Sequence, residues 1–185
     1  MGVDLARRLF TVQDYYRMAE VGILTEADRV ELLNGEIVHM TPIGTRHADC
    51  VDRLNQLLVE RLARRAIVRI QNPIRLGEHS EPQPDLALVR PGRTYAAAHL
   101  GPQDILLIVE VAETSVDKDR DVKIPLYGQA GIPEAWLIDL PGAIIDVYLE
   151  PLPQGCKQSR RLGRGEYLAP IPFPDVKLAV NEVLG

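Results

Sequence analysis

Ile105-Leu106-Leu107-Ile108-Val109-Glu110-Val111-Ala112 is apolar at every position except Glu110. A strand with one face in water alternates between apolar and polar residues. This one does not, so it reads as a central strand covered on both faces. A carboxylate inside such a strand is costly unless it is paired or holds a metal. Glu110 therefore marks both the middle of the fold and a candidate site.

The neighbouring segments supply the rest of a layered α/β chain. Upstream, Asp85 to Val89 reads as a strand in which Asp85, Ala87 and Val89 share one face. Ile67 to Leu76 is a further strand pattern, interrupted near Pro73. Before it, Val51, Leu54, Leu58 and Leu62 recur at helical spacing, which predicts an amphipathic helix of about five turns over His47 to Arg65. Asn34-Gly35 between apolar flanks predicts a hairpin over Val30 to Met40, because both central residues of its tight turn need positive φ. Thr11 with Asp14 forms a capping-box pattern that opens a short helix to Ala19, and Thr25 with Asp28 repeats it.

Downstream, Arg90 to Gln103 reads as loop, with a short helix over Ala96 to Leu100. Asp117 to Ala130 reads as a helix entered through Ser115 or Asp117 and closed by Gly131. Pro125 must then fall in a first turn or kink the helix. Glu134 to Asp139 and Ile144 to Leu149 are two strands joined at Pro141-Gly142. The Pro- and Gly-rich remainder predicts a strand near Tyr167 and a short element near Val176 to Val180. The core order is αβββαβ: an α/β (α+β) fold with a mixed central sheet and an N-terminal β-hairpin. One domain spans 1–185, with the helix and hairpin at 11–40, the core at about 45–150 and an extension at 151–185.

Composition sets bounds. Among 185 residues, 46% are hydrophobic and 25% charged, enough apolar content for a core without staples. Two cysteines, Cys50 and Cys156, stand far apart in no metal-ligand spacing, so a reducing cytoplasm is the expected location. The opening MGVDLARRLF lacks a signal peptide's apolar stretch, and no apolar run is long enough to span a membrane. The net charge of −5 opposes a surface that coats nucleic acid throughout, yet allows a local basic groove. Arg61, Arg64, Arg65 and Arg69 form one possible track and Lys157, Arg160, Arg161 and Arg164 another. A solvated charged face explains both equally well. No Gly-rich phosphate loop, serine-nucleophile elbow or His-Glu-x-x-His motif is present, which removes those classes.

If the Asp85 and Glu110 strands pair, both carboxylates reach one point. Two carboxylates with waters and a substrate phosphate are a usual way to hold Mg²⁺, with Mn²⁺ as a possible substitute. Such an ion suits attack of water on a phosphodiester. An ion pair for Glu110 and a turn role for Asp85 are the bland alternatives. By strand alternation Glu31 sits with Leu33 and points inward, a candidate further acid, whereas Glu36 faces solvent. His47 at the helix start is a substrate-positioning candidate or an ordinary helix-entry residue. Tyr127, Trp136 and Leu137 read as core.

Pro84-Asp85, Val109-Glu110-Val111, Asp119-Arg120 with Lys123 and Tyr127, and Gly131-Ile132-Pro133-Glu134-Ala135-Trp136-Leu137-Ile138-Asp139 together resemble the Uma-two restriction-endonuclease family, within the PD-(D/E)XK nuclease superfamily. The Glu31 to Glu36 hairpin and His47 after Thr41-Pro42 fit as well. The resemblance runs from about Thr11 to Glu150. It implies a DNA endonuclease in which Asp85, Glu110 and Lys123 are catalytic, the first two holding the metal; Glu31 joins them as the inward-facing acid of the hairpin, and Arg120 is a candidate phosphate contact. The superfamily signature has lysine two residues after the second acid, where this chain has Ala112. The resemblance implies that the lysine has moved to the following helix, as Lys123, with Lys118 the alternative. A homodimer is the expected assembly of a duplex cutter. The competing expectations are an inactive nuclease-like module that binds nucleic acid or protein, and a hydrolase of another phosphoester.

Overall fold

A computed structural model describes residues 7–92 and 100–185. Helix α1 (Val12–Glu20) is capped as expected: the Thr11 side chain accepts from the Asp14 backbone while Asp14 returns a bond to the Thr11 backbone. Strands β1 (Val30–Leu33) and β2 (Glu36–His39) form a separate antiparallel hairpin. Its turn residues Asn34 and Gly35 have φ of 50° and 77°, the left-handed pair that Asn-Gly tolerates best. A bridge between Leu32 and Glu81 and a bond from the Gly35 N–H to the His79 carbonyl at 2.7 Å help to tie the hairpin to the chain that leads into the core.

The central sheet is six-stranded, in the order β3-β4-β5-β6-β7-β8. These are Ile67–Ile70, Leu86–Val89, Ile105–Ala112, Ala135–Asp139, Ile144–Leu152 and Gly155–Leu162. Strand β5 lies inside the sheet, antiparallel to β4 and parallel to β6, and every one of its residues is buried. Its alternation decides what meets what. Leu107, Val109 and Val111 pack with Leu54, Leu58 and Leu62 of α2 (Thr45–Leu62) on one face. Ile108 and Ala112 pack with Ile124 and Tyr127 on the other. Glu110 shares that second face by register.

The β5-to-β6 crossover departs from the single helix expected over Asp117 to Ala130. It consists of a turn of α-helix, α3 (Val116–Lys118), a π-helical turn (Asp119–Lys123) and α4 (Ile124–Gln129). Pro125 lies in the first turn of α4. Its ring would crowd the carbonyl four residues back in a regular helix, and the wider π turn relieves that contact.

Other boundaries shift for local reasons. Helix α2 begins two residues before His47 and stops at Leu62, because Ala63 and Arg64 turn left-handed with φ of 47° and 69°. The strand expected to reach Leu76 ends at Ile70, where Gln71 takes φ of 48°. Strand β7 runs past Leu149 to Leu152 and pairs with β8, a strand that the polar stretch Gly155–Leu162 did not announce. The strand near Tyr167 is β9 (Tyr167–Leu168), paired with β10 (Leu178–Ala179), and α5 (Val180–Leu184) follows where only a short element near Val176 to Val180 was expected. The helix expected over Ala96 to Leu100 lies outside the described residues except for Leu100.

Candidate active site

Where the hairpin, α2, β4, β5 and the π turn meet, a cavity of about 150 Å³ is lined by Glu31, His47, Asp85, Glu110, Asp119 and Lys123, among others. Asp85 sits at the bend just before β4 rather than within it. It is held at both oxygens: Oδ2 accepts from the Val111 backbone N–H at 2.8 Å, and Oδ1 lies 3.0 Å from His47 Nε2. That first bond fixes Asp85 beside the residue that follows Glu110, so the two acids share one end of adjacent strands as expected.

Glu110 is 2% exposed. Its Oε1 lies 2.7 Å from Lys123 Nζ and also accepts from the Tyr127 hydroxyl. Burial pushes its pKa up to about 8 despite the opposing Lys123 charge. Burial alone would lower the Lys123 pKa; Glu110, Glu31 and Asp119 outweigh it, so the ammonium stays protonated. Lys123 is itself 4% exposed, which rules out an ordinary solvated helix lysine.

Glu31 completes the set from the hairpin. It is buried as alternation predicts. Its carboxylate accepts from the Gln83 backbone at 3.2 Å and lies 3.1 Å from Lys118 and 3.5 Å from Lys123. Both candidate lysines therefore converge on one acid, Lys123 deeper and Lys118 nearer solvent. Glu36 is exposed and pairs with Arg7 at 2.8 Å.

Asp119 is absent from the catalytic and metal-binding set expected from the sequence. It is buried, accepts from Ser115 Oγ at 2.6 Å and lines the cavity. Burial raises its pKa, against Lys123 and Ser115. The four-residue spacing accounts for its position: Asp119 and Lys123 fall on one face of the crossover, and both line the cavity. Tyr127, one turn further, is core as expected, and burial raises its hydroxyl pKa far above 10. The four-residue spacing from Lys123 is the signal that could have joined it to the site.

His47 faces the site through Asp85. The Asp85 hydrogen bond raises its pKa over the opposing effect of burial, and Nδ1 is buried with no partner among the described residues. Arg120 is not brought to the cavity. Its guanidinium lies 3.7 Å from each of Asp117, Asp139 and Asp146, on the far side of the π turn. Four residues of the two possible basic tracks are engaged by acids. Arg61 pairs with Glu182 and Arg65 with Asp175, each at 2.7 Å, and Arg65 stacks over Phe173. Arg161 pairs with Asp146 and Lys157 with Glu150. These bonds fasten the C-terminal segment to α2 and β7.

Among the described residues, no three His, Cys, Asp or Glu side chains form a ready metal cage. Mg²⁺ does not need one: it keeps several waters and is commonly bound through one or two carboxylates. The five acids Glu31, Asp85, Glu110, Glu113 and Asp119 outnumber Arg29, Lys118 and Lys123 around the cavity, and their carboxylates are hard oxygen donors. The donor set fits such a cation.

A family model described as "Putative restriction endonuclease", Uma2, matches residues 12–181. The chain belongs to the Uma2 family. A solved structure, "Crystal structure of a putative nuclease belonging to DUF820 from Anabaena variabilis ATCC 29413", superposes with a TM-score of 0.76 at 16% identity, over 95% of this chain and 97% of the other. That likeness extends the shared fold across the whole sheet. No curated protein matches the chain. The Uma2 assignment supports a nuclease, and no helix among the described residues is long and apolar enough to cross a membrane.

Proposed function

We propose that this Uma2 protein is a metal-dependent DNA endonuclease whose centre is Asp85, Glu110, Lys123 and Glu31. The observation that carries the reading is the meeting of buried Glu110 and half-buried Asp85 at adjacent strand ends, with a buried lysine from the next helix paired to Glu110. Asp85 and Glu110 would hold Mg²⁺, with Mn²⁺ able to replace it. When bound, the ion supplies Lewis-acid polarisation of a phosphate oxygen and helps to ionise water near neutral pH.

The chain's own residues do the remainder. Asp85 is oriented by the Val111 N–H and by His47, so its second-sphere partners come from β5 and α2. Lys123, kept protonated by Glu110 and Glu31, is a fixed positive charge suited to offset the negative charge that would build on the phosphoryl oxygens. It stands in for the lysine that Ala112 cannot provide. Lys118, with its more exposed ammonium, is suited to meet the incoming phosphate. A duplex cutter needs one centre per strand, and two copies of the chain would supply them.

Supercoiled plasmid incubated with Mg²⁺ or Mn²⁺ tests the reading. Nicking by the wild type, lost in Asp85→Ala, Glu110→Ala and Lys123→Ala, supports the reaction and the lysine together. Loss in the first two alone keeps the nuclease and returns the lysine role to Lys118. Absence of metal-dependent cleavage by the wild type favours a nuclease-like binding module instead.

A further inference from the structure

A second, larger cavity of about 1000 Å³ adjoins the first, and Arg29, Glu31, Met40 and Gln83 line both. Its own walls come from Tyr15, Tyr16 and Ala19 of α1, with Glu81 and Pro73 opposite. The volume is at the upper end of what small-molecule sites enclose. Nothing in the proposed centre accounts for it.

The aromatic wall is rigid. Tyr15 and Tyr16 meet edge to face with ring centroids 6.0 Å apart. Each hydroxyl is tied down, Tyr15 to the Val30 carbonyl at 2.9 Å and Tyr16 to Glu81 Oε1 at 2.5 Å. Rings fixed by their hydroxyls offer apolar surface at little cost in side-chain freedom.

Glu81 supplies the polar counterpart. It is 3% exposed, and its Oε2 has no hydrogen-bond partner among the described residues. An unsatisfied buried carboxylate oxygen is expensive and asks for an N–H donor.

Arg29 stands between the cavities. Its backbone is left-handed, with φ of 43°, an uncommon state for a side-chain-bearing residue. Its residue is exposed, and its guanidinium makes no ion pair or hydrogen bond among the described residues. The other cationic side chains lining the first cavity are each engaged with an acid: Lys118 with Glu31, Lys123 with Glu110, His47 with Asp85. A free arginine beside aromatic surface and an unmet acceptor matches a phosphate followed by a base.

We infer that the Tyr15–Tyr16–Glu81 cavity binds an unpaired nucleobase of the DNA strand under attack, with Arg29 on the phosphate that joins this nucleotide to the scissile one. The inference rests on the nuclease reading for the identity of that neighbouring phosphate. The base lies against the tyrosine wall, with Glu81 at the polar side of the cavity. The protein therefore takes the strand locally unpaired, or extrudes one nucleotide from a duplex before cutting.

The test is equilibrium binding in EDTA, so that cleavage plays no part. Fluorescence anisotropy is measured with a labelled single-stranded DNA and with a strand of the same length made abasic at its central positions. Ala19→Trp fills the cavity from an exposed helix position without removing a native contact, and Arg29→Ala removes the free cation. Thermal melts establish that both variants fold. The wild type is expected to prefer the strand with bases by at least about tenfold, the worth of a stacked base. Ala19→Trp should abolish that preference while leaving abasic binding unchanged, and Arg29→Ala should weaken both strands. Equal binding of the two strands by the wild type, no binding of either, or a preference that survives Ala19→Trp overturns the assignment. Because no metal is present, base-dependent binding without later cleavage would retain this cavity and reject the nuclease, while cleavage without base-dependent binding would do the reverse.

Discussion

Lys123 Nζ lies 2.7 Å from Glu110 Oε1, with both side chains closed off from solvent. Removing one partner of such a pair strands the other in the interior. Lys123→Met is therefore expected to lower stability by about 3 kcal/mol. Glu110→Gln combined with Lys123→Met should cost less than the two single changes added together, because no charge is then left unmatched. Urea denaturation of the wild type, both singles and the double forms the cycle. Strict additivity would show that the two groups do not share an interaction.

Tyr127 contributes a hydroxyl and little else that phenylalanine lacks. Tyr127→Phe takes one donor from the buried Glu110 carboxylate, at an expected cost of about 1.5–3 kcal/mol. The ring stays in the core, so the mutant should remain folded at room temperature. Its metal requirement in the plasmid assay should also rise, since Glu110 loses part of what orients it. A melting temperature equal to the wild type's would remove the hydroxyl from the account.

Pro125→Ala probes the π turn. A proline in a first helical turn contributes little to stability, so the change should move it by no more than about 1 kcal/mol. Without the ring, the segment from Asp119 to Lys123 is free to tighten into regular helix, which changes the rotation of Asp119 relative to Lys123 and Tyr127. Cleavage is expected to fall on the order of ten- to a hundredfold, as misplacement by an ångström can cost. Full activity with unchanged stability would mean that the turn holds its shape without proline.

Glu134 carries a pH dependence remote from the cavity. Its carboxylate accepts from Trp136 Nε1 and from the Ile171 backbone, each at 2.8 Å. Burial raises its pKa above the usual 4.5, against those two bonds. A raised carboxylate binds its proton more tightly in the folded chain. Its stabilising contribution is full below 4.5 and is lost as pH rises through the folded value. Glu134→Gln should flatten this part of the stability profile, read by the fluorescence of the only tryptophan, Trp136. A profile as steep as the wild type's would assign the dependence to another group.

Arg120→Ala separates an architectural arginine from a substrate contact. Arg120 sits among Asp117, Asp139 and Asp146 rather than on the cavity. The expected loss is about 1 kcal/mol of stability, with plasmid cleavage at the wild-type rate when the protein is folded. A selective loss of cleavage would return Arg120 to the substrate.

Much of this was legible in the residues. The uninterrupted apolar run around Glu110 placed β5 in the middle of the sheet, Asn34-Gly35 placed the hairpin, and Thr11 with Asp14 placed the first helix, because each depends on chemistry within a few residues. Alternation also put Glu31 inward. What escaped detection depends on partners far along the chain. Strand β8 has the polar sequence of a sheet edge and is recognised only through β7. Arg61 and Arg65 look like a free basic stripe until Glu182 and Asp175 close over them. Asp119 looks like an ordinary helix-start charge because Glu31 and His47, which share its cavity, lie far back along the chain.

The bond from Lys118 to Glu31 spans 87 residues of chain, and the hairpin that bears Glu31 is a ribbon outside the main sheet. During synthesis the ribbon emerges long before the lysines that meet it. The growing chain therefore has no assembled centre until the crossover after β5 has left the ribosome and folded back. Whatever chemistry the centre performs is withheld through most of translation by the order in which the pieces appear.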